Sequence, residues 1–185
     1  MIQLFIGGVR SGKSAAAETL LIERVKSYSL KPAYIATSVA FGDETIERIE
    51  KHKLSRQAQF DLPISTHELD YQQVDLLSVL QSLNSAENIV LIECLSTWVG
   101  WYLCLDHSLQ QNLIILEQQQ AALLSFLATA QCDVIIVTGE VGCGLIGETP
   151  LQRRYADKLG ELNQKVAALS EHVFLVTAGI TQTLK

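Results

Sequence analysis

Short apolar runs alternate along the chain with longer segments in which apolar residues recur every three or four positions. The apolar runs predict strands at 2–6, 31–37, 60–66, 88–93, 133–138 and 173–176, with Gly179-Ile180 closing the sheet. The periodic segments predict helices at 15–25, 43–56, 71–83, 109–130 and 151–170, the fourth with its glutamines on an exposed side. This alternation is typical of a mainly parallel sheet covered by helices on both faces. It therefore predicts an α/β fold in a single domain, 1–185.

A glycine-rich sequence separates the first predicted strand from the first predicted helix. It is Gly7-Gly8-Val9-Arg10-Ser11-Gly12-Lys13-Ser14, the phosphate-binding loop pattern of glycine, four residues, glycine, lysine and serine. Backbone N–H groups in such a loop point at phosphate oxygens, and the positive end of the following helix adds to the attraction. Lys13 can reach the β- and γ-phosphates, and the Ser14 hydroxyl can complete a Mg²⁺ coordination shell. The pattern predicts a nucleoside triphosphate site with Mg²⁺.

Three further segments follow predicted strands, at the edge where open α/β sheets bind ligands. They are Ala36-Thr37-Ser38, Glu93 with the residues up to Thr97, and 139–144. Glu93 ends a buried apolar strand and is the candidate acid that holds Mg²⁺ directly or through water. The alternative is that Glu93 only caps the helix that follows.

Composition limits the partners that we expect. The chain has 14 Lys and Arg against 20 Asp and Glu, a formal charge of -6, which disfavours general nucleic-acid binding and favours a small-molecule partner. No apolar run approaches the length of a membrane span, and no basic segment precedes the first apolar run, so we expect a cytoplasmic protein without membrane insertion. Four widely spaced cysteines are predicted to be reduced and mostly buried: Cys94, Cys104, Cys132 and Cys143.

Positive charge is concentrated around His52, with Arg48, Lys51, Lys53 and Arg56 as neighbours on a predicted helix. Neighbouring cations favour a neutral imidazole, which is equipped to attack a phosphorus atom while the cations hold the phosphates. The alternative is a solvent-facing histidine on a charged helix. The other three histidines have no comparable surroundings and are predicted to be structural: His67, His107 and His172.

Five segments occur in an order that resembles a known family. They are 7–14, Tyr34-Ile35-Ala36-Thr37-Ser38, 48–56, Leu91-Ile92-Glu93-Cys94 and Glu140-Val141-Gly142-Cys143-Gly144. Together they resemble the bifunctional adenosylcobinamide kinase/adenosylcobinamide-phosphate guanylyltransferases of cobalamin biosynthesis. The resemblance continues through Arg153, Asp157, Gly160 and Asn163-Gln164 to Gly179-Ile180.

The resemblance implies two reactions on one corrinoid substrate. ATP or GTP phosphorylates the aminopropanol hydroxyl of adenosylcobinamide, and GMP is then transferred from GTP to that phosphate, which gives adenosylcobinamide-GDP and pyrophosphate. GMP passes through a covalent adduct, for which His52 matches the family's histidine. Lys13 is the other predicted catalytic residue, and Ser14 and Glu93 are the predicted metal ligands.

The resemblance also implies a RecA-like P-loop NTPase fold, a homotrimer and further nucleotide contacts. The implied GTP contacts are Ala36, Thr37, Ser38, Lys53, Leu54, Ser55, Arg56 and Glu93, in addition to the loop residues Gly7, Gly8, Val9, Arg10, Ser11, Gly12, Lys13 and Ser14. The sequence departs from the family pattern at Ile64 and Gly139, where related sequences tend to carry glutamate and asparagine.

Two other functions are compatible with the same loop. One is a small-molecule kinase without guanylyl transfer, in which His52 is a surface residue. The other is a RecA-type nucleotide-dependent switch or assembly ATPase, whose output is contact with a partner. For the aromatic residues after Glu93, packing on the corrinoid and burial in a core or subunit interface are both open: Trp98, Trp101 and Tyr102.

Overall fold

The computed structural model describes residues 1–38, 63–71 and 73–185. The strands are β1 (Ile2–Gly7), β2 (Lys31–Ala36), β3 (Ser65–Glu68), β4 (Asn88–Glu93), β5 (Asp133–Gly139), β6 (His172–Thr177) and β7 (Ile180–Thr183). The helices are α1 (Lys13–Tyr28), α2 (Leu76–Ser82), α3 (Leu95–Leu103), α4 (Leu109–Thr129) and α5 (Pro150–Leu169). The predicted helix at 43–56 lies outside the described residues.

All seven described strands form one sheet, in the order β3-β2-β4-β5-β1-β6-β7. Every neighbouring pair is parallel except β6 and β7, which are antiparallel. β5 lies between β1, which leads into the glycine-rich loop, and β4, which ends in Glu93. The predicted α/β fold with a mostly parallel sheet, of RecA-like P-loop type, is confirmed.

Alternating side chains of the central strands enter two separate apolar cores. In β4, Val90 and Ile92 pack with Trp98 and the helices α2 to α5. Ile89 and Leu91 belong to the other core, which includes Leu21 of α1. Helices therefore cover both faces of the sheet, as a nearly continuous apolar strand requires.

The two long helices after β4 begin at recognisable sequence signals. Ser108 and Gln111 form a capping box at the start of α4, and Thr149 and Gln152 form one at the start of α5. Each box satisfies backbone N–H groups that have no partner within the helix. The predicted bounds of both helices are accordingly within one residue of the observed ones.

Other predicted bounds were wrong for local reasons. α2 begins at Leu76 rather than at residue 71, because Asp75 caps it by accepting a hydrogen bond from Ser78 N at 2.9 Å. Asp70 Oδ1 accepts bonds from the backbone N–H groups of residues 73 and 74, which forms a turn before the helix. β3 spans Ser65–Glu68, later in the chain than the predicted strand at 60–66.

For two elements the sequence predicted no bounds: the helix after Glu93 and the strand that begins at Ile180. α3 contains few polar residues and packs into the core, so its sequence has no amphipathic pattern to mark it. β7 pairs with β6 through a turn at Ala178 and Gly179, whose φ angles are 52° and 79°. A two-residue turn with positive φ at both positions suits a tight hairpin.

Burial corrects two further predictions. The cysteines are all free, but only Cys132 is buried, while Cys104 and Cys143 are exposed. Gln120 lies on the buried side of α4, with Nε2 donating to the carbonyl of Lys158 at 3.4 Å. Among the described helices, none combines the length and apolar character needed to cross a membrane.

Candidate nucleotide-binding site

The glycine-rich loop connects β1 to α1 at the carboxyl edge of the sheet. Arg10 and Gly12 have φ angles of 57° and 96°. Ser11 N donates to the carbonyl of Gly8 at 3.3 Å, and Lys13 Nζ donates to the same oxygen at 3.1 Å. Residues with positive φ between residues of ordinary φ turn successive backbone N–H groups toward one point. The resulting concave set of N–H groups at a helix N-terminus suits a phosphate anion. Lys13 and Ser14 are the first residues of α1.

Close packing fixes the position of the loop. Added to Gly7, a Cβ atom would lie 2.4 Å from the carbonyl oxygen of Val176, a backbone atom of β6. At Gly12 it would lie 3.1 Å from Gly179 Cα, and Gly179 N donates to the carbonyl of Ser11 at 2.8 Å. The β6–β7 hairpin therefore supports the loop from one side. Gly8 and Val9 lie on the outer side, where Val9 is 87% exposed.

Glu93, the last residue of β4, contacts the first turn of α1. Ser14 Oγ donates to Glu93 Oε1 at 2.8 Å, a contact that joins positions 79 residues apart. The N-cap position of α3 is Cys94, which makes no side-chain cap bond, so Glu93 does not occupy the capping position of that helix. The structure therefore does not show Glu93 as the cap of the following helix, which was the alternative to a metal-binding role.

The pair of Ser14 and Glu93 fits a magnesium ion by its chemistry. A hydroxyl and a carboxylate are hard oxygen ligands, which Mg²⁺ prefers, and the ion usually takes its remaining ligands from phosphates and water. Within the described ranges, no group of three or more His, Cys, Asp or Glu side chains is placed to hold a metal ion. An ion at Ser14 and Glu93 would thus share its shell with a nucleotide.

The end of β2 brings Ala36, Thr37 and Ser38 beside Glu93. Ala36 pairs with Glu93 in the sheet, and Ser38 is half-buried. Thr37 has no exposed surface. The resemblance implies a nucleotide contact at Thr37, a residue whose side chain is buried beside the end of β4.

Two groups of residues from the sequence analysis remain: the basic segment and the two departures from the family pattern. The basic segment lies outside the described residues, including His52, Lys53, Leu54, Ser55 and Arg56. The departures from the family pattern are described: Ile64 packs against the core on the α1 side. Gly139 approaches Ser96 so closely that an added Cβ would lie 3.2 Å from the serine Cβ.

The loop after β5 borders the same edge of the sheet. Glu140 N donates to the carbonyl of Gly7 at 3.0 Å, which ties this loop to the phosphate loop. A cleft of about 600 Å³ follows, between residues 141–147 and the first turns of α5. Leu145 and Ile146 line the cleft and are almost fully exposed. Arg153 donates to the carbonyls of residues 147 and 148 on its border.

The aromatic residues after Glu93 belong mainly to the core. Trp98 and Tyr102 are buried, at 1% and 6% exposure, which confirms the core alternative for these two residues. Trp101 is half-buried and stacks on Tyr71 with 4.7 Å between ring centroids. Sequence reasoning did not single out Tyr71, because a single aromatic residue in a turn has no recognisable pattern.

Comparison with known proteins identifies the family. A family model described as "Cobinamide kinase / cobinamide phosphate guanyltransferase" matches residues 3–184. The chain belongs to this family. Its members are transferases, so the predicted enzyme class and the resemblance are both confirmed.

Relatives of the family match the chain over its whole length. It is 34% identical over 185 residues to the bifunctional adenosylcobalamin biosynthesis protein CobP of Pseudomonas aeruginosa, covering 100% of this chain and 98% of that protein. It is 31% identical over 195 residues to the protein CobU of Escherichia coli, with 100% of both chains covered.

Similarity to solved structures is more distant. The DnaC helicase loader gives a TM-score of 0.47 at 12% identity, covering 95% of this chain and 78% of that one. A KaiC-like protein from Pyrococcus horikoshii gives 0.47 at 14% identity, covering 94% and 69%. The fold assignment rests on the strand order and on the position of the phosphate loop.

Proposed function

We propose that the protein phosphorylates the aminopropanol hydroxyl of adenosylcobinamide with ATP or GTP and then transfers GMP from GTP to the new phosphate. The observation that carries the proposal is the 2.8 Å hydrogen bond between Ser14 and Glu93. It places a phosphate loop and a strand-end carboxylate at one point, in a chain of the cobinamide kinase and guanyltransferase family. That arrangement suits a triphosphate and its metal ion.

The first step requires positioning and charge neutralisation rather than covalent chemistry by the protein. The loop N–H groups and Lys13 hold the phosphates. The acceptor hydroxyl attacks the γ-phosphorus, the bond between this phosphorus and the β,γ-bridging oxygen breaks, and the nucleoside diphosphate leaves. Mg²⁺ held by Ser14 and Glu93 would neutralise charge on the β- and γ-phosphates. The hydroxyl proton leaves to water.

The second step uses His52 as nucleophile. A ring nitrogen attacks the α-phosphorus of GTP, the bond between this phosphorus and the α,β-bridging oxygen breaks, and pyrophosphate leaves. A phosphate oxygen of the corrinoid then attacks the same phosphorus, which frees the imidazole and gives adenosylcobinamide-GDP. A covalent intermediate divides one difficult displacement into two easier ones. The cations at 48–56 support this role by attracting the triphosphate.

Further parts of the proposal concern binding and assembly. GTP contacts come from Ala36, Ser38, the segment 53–56 and Glu93, and the single domain of residues 1–185 assembles as a homotrimer in the cytoplasm. These assignments rest on the composition of the chain and on its resemblance to the family.

The test follows both corrinoid products. Lys13→Ala removes the cation on the transferred phosphoryl group and should lower phosphorylation of adenosylcobinamide by at least about 100-fold. Chromatography of the corrinoid after incubation with ATP and GTP measures this. Lys26→Ala is the matched control, since Lys26 is exposed in the last turn of the same helix.

Unchanged phosphorylation in Lys13→Ala contradicts the proposed first step. Accumulation of adenosylcobinamide phosphate without the GDP product, in the presence of GTP, supports the plain small-molecule kinase instead.

A further inference from the structure

Thr37 holds the end of β4 with its backbone N–H and its side-chain hydroxyl. Its N–H donates to the carbonyl of Glu93 at 2.9 Å. Its hydroxyl accepts from Cys94 N at 2.7 Å and lies 3.0 and 2.8 Å from the carbonyls of Glu93 and Cys94. The contacts surround the backbone of Glu93, the residue whose carboxylate meets Ser14.

Tyr71 fixes Thr37 in turn. Its hydroxyl donates to the carbonyl of Thr37 at 2.6 Å, the one polar atom of Thr37 that β4 does not bond. Burial, with Tyr102 and Cys94 nearby, raises the pKa of Tyr71 far above its usual value. The hydroxyl therefore remains a hydrogen-bond donor at any physiological pH.

The backbone of Tyr71 shows how firmly this side chain is held. Its φ is 60°, a left-handed conformation that is uncommon for a bulky residue and persists only where surrounding contacts enforce it. The ring stacks on Trp101 and meets Tyr102 edge to face at 5.7 Å. The hydroxyl is thus directed at Thr37 by a rigid aromatic cluster.

We propose that Thr37 and Tyr71 are positioning residues that hold Glu93 against Ser14, and that Thr37 does not contact the nucleotide. The inference rests on the proposed function, because it takes Glu93 and Ser14 as metal ligands. Outer residues that orient a ligand typically change metal affinity or activity by about 10- to 100-fold when they are replaced. Loss of the Thr37 hydroxyl should therefore weaken metal-dependent binding and leave metal-free nucleotide binding unchanged.

The test compares binding of a non-hydrolysable GTP analogue with and without Mg²⁺ by titration calorimetry, using the full chain. In the unaltered protein, Mg²⁺ should tighten binding. Thr37→Val should lose about 10-fold of that gain. Thr37→Ser keeps a hydroxyl and should keep the gain. Tyr71→Phe should lose less of the gain than Thr37→Val, because it removes a single hydrogen bond, the one to the Thr37 carbonyl.

Thr138→Val is the matched control. Thr138 is also fully buried at the end of a neighbouring strand, and its hydroxyl donates to Asn163 Oδ1 at 2.7 Å rather than to β4. It should lose thermal stability as Thr37→Val does, yet keep the full gain from Mg²⁺. Melting temperatures measured on the same samples separate folding from metal binding.

Three results overturn the inference: an undiminished Mg²⁺ gain in Thr37→Val, an equal loss in Thr138→Val, or an equal fall of metal-free affinity in Thr37→Val. If Thr37→Val does not fold, an unchanged Mg²⁺ gain in Tyr71→Phe overturns it as well. Failure of the proposed function looks different. The unaltered protein would then bind the Mg²⁺-analogue complex and form no guanylylated corrinoid, and the comparison of variants would still decide the roles of Thr37 and Tyr71.

Discussion

Gly7 lies where β1 ends, and the structure leaves no room there for a side chain. A Cβ atom added to Gly7 would lie 2.4 Å from the backbone oxygen of Val176. A Cβ atom added to Gly8 would have no neighbouring atom within 4 Å. Gly7→Ala should therefore destabilise the protein by about 2–3 kcal/mol, since the backbone of β6 has to move. This corresponds to a melting temperature lowered by roughly 4–12 °C.

Gly8→Ala is the control for that prediction. Its new methyl group would contact no other atom, so the melting temperature should remain almost unchanged. Thermal unfolding followed by circular dichroism measures both variants. Equal shifts for the two would show that the contact with β6 does not determine the requirement for glycine.

Single residues differ in how far the sequence could predict their roles. The spacing of Gly7, Gly12, Lys13 and Ser14 predicted a phosphate loop, because the motif is local. The role of Tyr71 could not be predicted, since its hydroxyl meets a carbonyl 34 residues away. The resemblance implied direct contact of Thr37 with GTP. The burial of the Thr37 side chain could not be predicted, because it depends on the packing of β2 against β4.

At the scale of elements, an ion-pair cluster joins α1 to the start of β5. Arg24 Nη2 donates to Asp133 Oδ2 at 2.5 Å, and the Met1 ammonium donates to Oδ1 at 3.0 Å. Burial opposes ionisation of Asp133, but the hydrogen bonds from these two cations outweigh it, so its pKa is lowered. The cluster ties the amino ends of β1 and β5 to the carboxyl-terminal half of α1.

Asp133→Asn should lower the free energy of unfolding by about 1–3 kcal/mol at neutral pH. Because folding lowers this pKa, the stabilisation is complete above the ordinary carboxyl pKa of about 4 and is lost as the pH falls through the lower folded value. Denaturant unfolding at several pH values should show the variant and the parent converging in acid.

Glu87→Gln serves as the control for Asp133→Asn. Glu87 pairs with Lys31 at 2.6 Å, but both side chains are about 70% exposed, and such pairs contribute little. A difference between Asp133→Asn and the parent that persists unchanged in acid would contradict the assigned pKa shift.

Elements with a periodic pattern or a cap were predictable, and others were not. α4 and α5 combine helical spacing with capping boxes, so their bounds were found within one residue. α3 lacks a polar face because it is buried, and β7 follows a hairpin turn of only two residues. In both elements, tertiary packing decides a structure that the local sequence does not mark.

At the scale of the molecule, parallel strand order brings distant segments to one edge. β1 and β4 are separated by β5, yet Ser14, which follows β1, meets Glu93, which ends β4. The order of elements predicted this edge as the site, because parallel strands present their carboxyl ends together. The basic segment with His52 has no described position, so the second reaction rests on family membership and on the sequence around the histidine.

A covalent GMP–His52 intermediate can be detected with labelled GTP. Unaltered protein, His52→Ala and the control His107→Ala, whose histidine is exposed, are incubated with GTP labelled at the α- or γ-phosphate and then denatured. The account predicts an acid-labile, alkali-stable protein label from the α-phosphate alone, present in the parent and in His107→Ala and absent in His52→Ala. A label that persists in His52→Ala, or an unlabelled parent that still produces adenosylcobinamide-GDP, would contradict it.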